Sequence, residues 1–193
     1  MLGPYSSGST ATAGVLHHLG VCLGRQFWGD YFEARWLSDQ LRRWWNEPDL
    51  REVVAREQRV GQLAQWLHDM ESTGAAAVGA KHPLLVLSGD DLCEAWGAET
   101  KFLWAWRPLD ESIASLERRG WWPGKERDVQ NRLWDAALEF FARQNHLQVV
   151  FGNLLQNPEQ EMGRIIEFLR VRPAEARQRA AANSIRRREL PTG

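Results

Sequence analysis

The chain has 193 residues, of which 44% are hydrophobic and 25% are charged, proportions typical of a globular domain with a hydrophobic core. A formal net charge of −1 excludes a strong basic field, so we expect no nucleic acid as a partner. No stretch reaches the roughly 20 apolar residues of a membrane span, and no basic segment before an apolar run marks a signal peptide. We therefore expect a cytoplasmic protein with no membrane span.

A loop of small residues opens the chain and is followed by a predicted helix over residues 11–19. The spacing from Gly3 to Gly8 and on to Thr10 fits the pattern G-x-x-x-x-G-K-[ST], except that Ser9 replaces the lysine. Small residues allow backbone N–H groups to point at an anion, and the helix N-terminus adds positive dipole charge. The loop is interpreted as a phosphate-binding loop, with a surface turn before a helix as the alternative.

Ser9, which replaces the lysine of the pattern, helps to decide the class of protein. ATPases, GTPases and nucleotide kinases place that cation on the β- and γ-phosphates. Because Ser9 is uncharged, the loop argues against these classes and in favour of another anion-binding protein.

Further along the chain, apolar residues recur with a helical period over residues 30–45, 52–70, 109–118, 128–144 and 158–169. Short apolar runs predict buried strands ending near Lys81 and over residues 101–106 and 147–151. Strands separated by helices indicate a parallel sheet covered on both faces, which is an α/β fold. Residues 1–193 form one predicted domain, with a basic tail over residues 170–193.

The cysteines and histidines suggest neither a disulfide framework nor a metal site. Cys22 and Cys93 lie far apart, which favours a reducing compartment. The five histidines stand in no zinc-ligand spacing, so we expect no metal. His17 and His18 lie in the helix after the first loop and are interpreted as structural. Whether the chain forms a homo-oligomer is left open.

The 11 tryptophans are unusual for a chain of this length. Most of them are interpreted as core residues, because aromatic side chains bury large areas. The alternative is that they line an acceptor cleft for a sugar, an aromatic or a lipid-like molecule. Two groups stand out: Trp28, Trp36, Trp44 and Trp45, and then Trp104, Trp106, Trp121, Trp122 and Trp134.

A second anion site is indicated where a predicted strand passes into a helix. Arg107 lies at the carboxyl end of the strand, where open α/β sheets bind ligands, and Ser115 lies in the helix that follows. An arginine can give fork-like charged hydrogen bonds to a phosphate. The alternative is a helix-capping arginine with a buried serine.

Five segments, taken in chain order, resemble motifs of one enzyme family. Residues 3–10 (GPYSSGST) resemble a 5′-phosphosulfate loop, commonly G-x-x-[RK]-S-G-[ST]-[ST], and Arg107 and Ser115 resemble its 3′-phosphate motif. Residues 29–33 (GDYFE), 81–83 (KHP) and 150–171 are similar to three further stretches. The chain thus resembles the sulfotransferases, which move a sulfuryl group from 3′-phosphoadenosine 5′-phosphosulfate (PAPS) to a hydroxyl or amine.

The resemblance implies a three-layer P-loop-like fold with a short central parallel β-sheet flanked by helices. Because only Met1 and Leu2 precede Gly3, the first strand is expected to be very short or replaced. PAPS is implied as co-substrate, with a small-molecule, carbohydrate or lipid-like acceptor. The implied nucleotide-binding residues are Ser6, Ser7, Gly8, Ser9, Thr10, Arg107 and Ser115.

An acceptor hydroxyl benefits from a general base within hydrogen-bond reach. Glu33 is the first candidate, because its segment resembles the family's active-site cap; an exposed carboxylate at a helix start is the alternative. His82 is the second candidate and Asp30 a further one. The predicted catalytic residues are Glu33, His82 and Lys81, with Lys81 as a source of positive charge.

Ser6 departs from the family pattern, which carries Arg or Lys at this position. Loss of a charge that stabilises the transition state lowers the rate by ~100- to 1,000-fold. Lys81, or the arginines of residues 184–188 (SIRRR), could supply the charge instead. Without a substitute cation, the chain would be a catalytically degenerate nucleotide-binding or regulatory module, and this alternative stays open.

Overall fold

The computed structural model of the protein describes residues 1–186, in which helices alternate with short strands. The helices are α1 (Ser9–Leu19), α2 (Arg35–Trp44), α3 (Arg56–Glu71), α4 (Gly89–Trp96), α5 (Leu109–Arg119), α6 (Glu126–Phe141), α7 (Phe151–Gln156), α8 (Pro158–Leu169) and α9 (Glu175–Arg186). The strands are β1 (Val21–Cys22), β2 (Ala77–Val78), β3 (Phe102–Trp106) and β4 (His146–Val150). Two 3-10 helices, Gly29–Tyr31 and Pro83–Ser88, complete these elements within the described residues.

The strands form parallel pairs. β1 pairs with β2, with Val21 opposite Ala77, and β3 pairs with β4, with Phe102 opposite His146. Parallel strands need long crossover connections, and the intervening helices provide them. This mixed helical and parallel-strand architecture confirms the predicted α/β class.

The first two residues lie between these pairs. The Leu2 N–H donates to the Leu103 carbonyl at 2.9 Å, and the Ala105 N–H donates to the Leu2 carbonyl at 2.9 Å. The amino group of Met1 donates to the Ala80 carbonyl at 2.7 Å. The first strand is thus reduced to one bridging residue, which lies between β3 and the segment after β2.

Side chains of β3 alternate between two hydrophobic clusters. Phe102 and Trp104 belong to a cluster with residues of α2, α3, α4 and α6. Leu103 belongs to the other cluster, with residues of α1, α8 and α9. Because successive side chains of a strand point to opposite faces, β3 is covered on both sides.

The tryptophans divide between the core and the surface. Trp44, Trp45, Trp66 and Trp104 are buried, which agrees with the core interpretation for these four. Trp36, in contrast, is 44% exposed.

The helix predicted over residues 30–45 is wrong at its start. The 3-10 helix Gly29–Tyr31 ends at Phe32, whose left-handed backbone (φ 56°) does not continue a helix. The chain then folds back, since the Trp28 N–H donates to the Glu33 carbonyl at 3.0 Å before α2 begins. Glu33 therefore stands on a loop and not within a helix.

Other elements had no sequence prediction. The segment after Lys81 forms the 3-10 helix Pro83–Ser88 and then α4, and α7 follows β4 directly. A proline at the first position suits a helix start, because its missing N–H would have no helical partner.

The basic tail contains a helix that its charges did not predict. α9 packs on α1, with Ala181 and Ile185 buried one turn apart in the shared cluster. This apolar stripe holds the helix against the core, while Arg177 and Arg179 are exposed. Arg187 and Arg188 lie outside the described residues. Within residues 1–186, no helix is both long and apolar enough to cross a membrane.

Candidate functional site

The loop that opens the chain turns directly into α1. Ser6 (φ 56°) and Gly8 (φ 89°) have left-handed backbones, and Gly8 precedes the first residue of the helix. A Cβ atom at Gly8 would lie 2.5 Å from Cδ2 of Phe151, so both the backbone and the available space require glycine. The helix begins at Ser9, two residues earlier than predicted, which brings Ser9 and Thr10 into its first turn.

Tyr5 anchors this loop at two points. Nε2 of Gln130, on α6, donates to the Tyr5 carbonyl at 2.5 Å. The Tyr5 hydroxyl donates to Oε1 of Glu47 at 2.5 Å. The hydroxyls of Ser6 and Ser7 are buried and have no hydrogen-bond partner among the described residues. Most buried polar side-chain atoms have a hydrogen-bond partner, so these two hydroxyls are exceptional.

A cavity of about 1010 Å³ opens beside the loop. All but two of the predicted site residues line it, although they come from widely separated parts of the chain. Those that line it are Ser6, Gly8, Ser9, Thr10, Glu33, Lys81, Arg107 and Ser115. The other two, Ser7 and His82, are fully buried next to it, with Ser7 beneath the loop against Gly3.

Arg107 and Ser115 face the cavity from β3 and α5. The Arg107 guanidinium is 5.2 Å from the centre of the Phe151 ring, and its Nε–H donates to Glu111 at 2.9 Å. The arginine thus makes a structural contact with the first turn of α5 and also lines the cavity. Ser115 is buried and lines the same cavity. The structure therefore agrees both with a phosphate site and with the alternative of a structural arginine and a buried serine.

Glu33 and Lys81 form a buried ion pair at the cavity. Nζ of Lys81 contacts Oε1 of Glu33, and the two residues are 3% and 8% exposed, respectively. The same Nζ lies 3.3 Å from Oγ1 of Thr10, in the first turn of α1. Glu33 is therefore not an exposed carboxylate at a helix start, and Lys81 brings a positive charge to the loop that lacks its own.

His82 is buried behind Glu33. Its Nδ1 accepts a hydrogen bond from the Leu84 N–H at 3.1 Å, and its Nε2 lies 3.7 Å from Oε2 of Glu33. Burial lowers the pKa of His82 well below its ordinary value, and the charges of Lys81 and Arg42 lower it further. The ring is therefore neutral at pH 7, and because Nδ1 accepts, the proton is on Nε2.

The remaining candidates lie around the rim. Asp30, on the 3-10 helix before Glu33, is exposed and lines the cavity. The His17 ring packs against Phe27 and Phe32, with ring centres 5.9 and 5.2 Å away, which agrees with a structural role. His18, in contrast, lines the cavity.

An aromatic cluster forms another part of the wall, and we call it the aromatic wall: Tyr5, Tyr31, Trp121 and Trp122. The Tyr5 ring centre is 4.7 Å from that of Trp122 and 6.0 Å from that of Trp121, and Tyr31 lies 6.4 Å from Trp121. Tyr5, Tyr31 and Trp121 line the cavity. Such an edge-to-face arrangement gives rigid apolar surface with polar atoms at its margin.

Sequence reasoning missed several lining residues. Arg119 lies one turn after Ser115 on α5, so the helical period from Ser115 was a usable signal for it. Asn183 carried no such signal, because long-range packing brings it to the cavity, whereas Phe151 and Ser184 belong to the segments 150–171 and 184–188 that the sequence singled out.

Comparisons with known proteins do not place the chain in a family. No family model matches it, and no curated protein matches it with significant similarity. Within residues 1–186, no three His, Cys, Asp or Glu side chains cluster so that they could hold a metal ion. The site is therefore defined by its geometry: a loop at a helix N-terminus and an α/β cavity with buried charges.

Proposed function

We propose that the protein is a PAPS-dependent sulfotransferase that acts on a hydroxyl or amine of an acceptor. The observation that carries this proposal is the single cavity shared by the loop before α1, Arg107 and Ser115, and the Lys81–Glu33 pair. Residues that the family resemblance assigned separately to two phosphates and to catalysis are adjacent in space. The proposed fold is the three-layer P-loop-like one, which the burial of β3 on both faces supports.

In this proposal, the two ends of the nucleotide bind to different elements. The first-turn N–H groups of α1, with the hydroxyls of Ser9 and Thr10, hold the 5′-phosphosulfate, because a helix N-terminus favours anions. Arg107 and Ser115 hold the 3′-phosphate through charged and hydroxyl hydrogen bonds. The volume of about 1010 Å³ lies at the upper end of the range for small-ligand sites, which leaves room for an acceptor beside the nucleotide.

Lys81 supplies the cation that the loop lacks. The acceptor oxygen attacks sulfur, the bond from sulfur to the bridging phosphate oxygen breaks, and 3′-phosphoadenosine 5′-phosphate leaves. Lys81, beside Thr10, stabilises the charge that develops on the bridging oxygen. Glu33 accepts the proton of the acceptor, since a carboxylate within reach can serve as a general base.

A thermal-shift titration with 3′-phosphoadenosine 5′-phosphate, beside ATP and GTP, tests this proposal. Ligand at ~100 times its dissociation constant adds about 2.7 kcal/mol of stability. We expect selective stabilisation that Arg107→Ala abolishes and that Arg127→Ala, an exposed arginine paired with Asp110, retains. No shift with any nucleotide would contradict the proposal. Transfer from radiolabelled PAPS to an acceptor panel then tests the reaction.

A nucleotide-binding module without catalysis is the second candidate. The observation in its favour is that both loop positions that carry a cation in related patterns, Ser6 and Ser9, are serines. In that case, the nucleotide binds, but no acceptor is sulfated by the wild-type protein or by a variant with the cation restored at residue 6.

A further inference from the structure

We propose that His82 is a positioning residue for Glu33: the Nε2–H of His82 fixes Oε2 of the carboxylate, while Lys81 contacts Oε1. The proposal concerns a contact within the protein, and its catalytic consequence rests on the proposed function, in which Glu33 meets the acceptor. It differs from a role for His82 as a base, because the ring is buried and does not line the cavity.

The backbone fixes the orientation of the ring. His82 precedes the 3-10 helix Pro83–Ser88, and its Nδ1 caps this helix by accepting the Leu84 N–H. The ring is nearly perpendicular to that of Tyr5, with ring centres 6.4 Å apart. The ring therefore has one orientation, and that orientation directs Nε2 toward Glu33.

Nε2 has no other hydrogen-bond partner within the part of the chain that the structure describes. A buried N–H without a partner is unfavourable, so an adjacent carboxylate oxygen is its natural acceptor. The separation of 3.7 Å is too long for a hydrogen bond, and a shift of roughly 0.8 Å would close it. Catalytic hydrogen bonds are often long before ligands bind and tighten afterwards.

The two oxygens of Glu33 consequently face different groups. Lys81 contacts Oε1 and His82 lies 3.7 Å from Oε2, so closing this gap would set the carboxylate plane from both sides. Each carboxylate oxygen has two lone pairs, which leaves room for an acceptor proton. Capping alone does not require histidine, because asparagine is as good an acceptor for a helix N–H. Compared with asparagine, histidine adds a second nitrogen, Nε2, on the far side of the ring.

This difference defines a matched pair of variants. In His82→Asn, the side-chain oxygen still accepts the Leu84 N–H, but the N–H that faces Glu33 is lost. In His82→Gln, the longer amide places an N–H near the position of Nε2 and gives up the cap. We expect the kcat for sulfuryl transfer to fall by up to ~100-fold in His82→Asn, the effect of misplacing a reacting group by about 1 Å, with little change in the KM for PAPS, and to recover in His82→Gln. Wild-type kcat in His82→Asn would overturn the proposal.

A measurement on the ligand-free protein tests the contact without any activity. Histidine ¹⁵N NMR, with the His82 signals assigned by their loss in His82→Gln, reports the protonation of each ring nitrogen. We expect a neutral ring with the proton on Nε2, and an Nε2 shift that changes in Glu33→Gln but not in Asp30→Asn. Asp30→Asn is the matched control, because it removes a second carboxylate from the same cavity.

The outcomes separate this proposal from the proposed function. A proton on Nδ1 would overturn the positioning role, and so would an Nε2 chemical shift that is the same in wild type and Glu33→Gln. Both results hold whether or not the protein transfers sulfuryl groups. The expected NMR response in a protein that binds no adenosine bisphosphate would support the contact and contradict the sulfotransferase proposal.

Discussion

Lys81 and Thr10 are 71 positions apart in the chain, yet Nζ of Lys81 lies 3.3 Å from Oγ1 of Thr10. The ammonium group therefore stands at the first turn of α1, next to a loop with no basic residue of its own. The proposed catalytic charge therefore comes from the segment after β2.

Lys81→Met removes this charge. We expect the kcat for sulfuryl transfer to fall ~100- to 1,000-fold, the usual effect of losing a group that stabilises transition-state charge. The variant also leaves Glu33 buried without its partner, which destabilises proteins by about 3–5 kcal/mol. Denaturant unfolding and steady-state kinetics measure the two effects. Lys125→Met, at an exposed lysine paired with Asp49, is the control for charge alone.

The double variant Lys81→Met/Glu33→Gln separates stability from catalysis. Removing the uncompensated carboxylate should restore much of the lost stability, because the variant then buries no unpaired charge. Catalysis should stay low. Recovery of activity together with stability would contradict the assigned role of Lys81.

Ser6→Arg adds a cation at the position where related loops carry one. Ser6 lines the cavity and already has a left-handed backbone, which arginine would share. We expect a higher kcat than wild type, because a second charge can reach the bridging oxygen. Ser6→Gln is the matched control, with similar bulk and no charge. An equal gain in both variants would show that size, and not charge, is responsible.

Gly8→Ala tests the loop geometry. Its Cβ would lie 2.5 Å from Phe151 at a positive φ, so the loop must move. We expect a loss of about 1–3 kcal/mol of stability and weaker binding of adenosine bisphosphate, measured by thermal shift and calorimetry. Gly61→Ala, within α3 and with open space around it, should instead be neutral or stabilising. Unchanged nucleotide affinity in Gly8→Ala would contradict a role for this turn.

Stability should decrease in mild acid because of His82. In the unfolded chain its ring takes up a proton below about pH 6.5, whereas the buried ring, with its lowered pKa, stays neutral. The unfolded state then binds more protons, so the free energy of unfolding falls by up to about 1.4 kcal/mol per pH unit. The fall begins near pH 6.5 and continues down to the lower pKa of the folded state. The charged groups acting on the ring are Glu33, Lys81 and Arg42.

Denaturant titrations from pH 7.5 to 5 measure this slope. His82→Asn should flatten it, and His17→Asn, which removes a ring whose pKa is also lowered by burial, should flatten it less. An identical slope in wild type and His82→Asn would show that other groups dominate the acid response.

Trp121→Ala tests the aromatic wall. We expect a higher KM for the acceptor and unchanged affinity for adenosine bisphosphate, because Trp121 packs against Tyr5 and Tyr31. Trp36→Ala removes an exposed tryptophan on α2 and serves as the control. Weaker nucleotide binding in Trp121→Ala would show that the aromatic wall contacts the nucleotide.

Local patterns predicted much of the fold correctly. The runs over residues 101–106 and 147–151 correspond to β3 and β4, and the pattern at 158–169 corresponds to α8, because apolar spacing and β-branched or aromatic content report burial directly. The same reasoning failed at Phe32. Its left-handed backbone interrupts a helical pattern for reasons of tertiary packing, and so Glu33 falls on a loop.

The residue types of the site were recognisable in the amino-acid sequence, because a small-residue loop before a helix and an arginine after a strand are local signals. Their assembly was not. The Lys81 contacts with Thr10 and Glu33 and the approach of His82 to Glu33 join segments that are distant in the chain. Such contacts arise when packing brings the segment after β2, the carboxyl end of β3 and the first turn of α1 to one cavity. Burial then sets the charge states, so that the ring of His82 is neutral and Glu33 is paired.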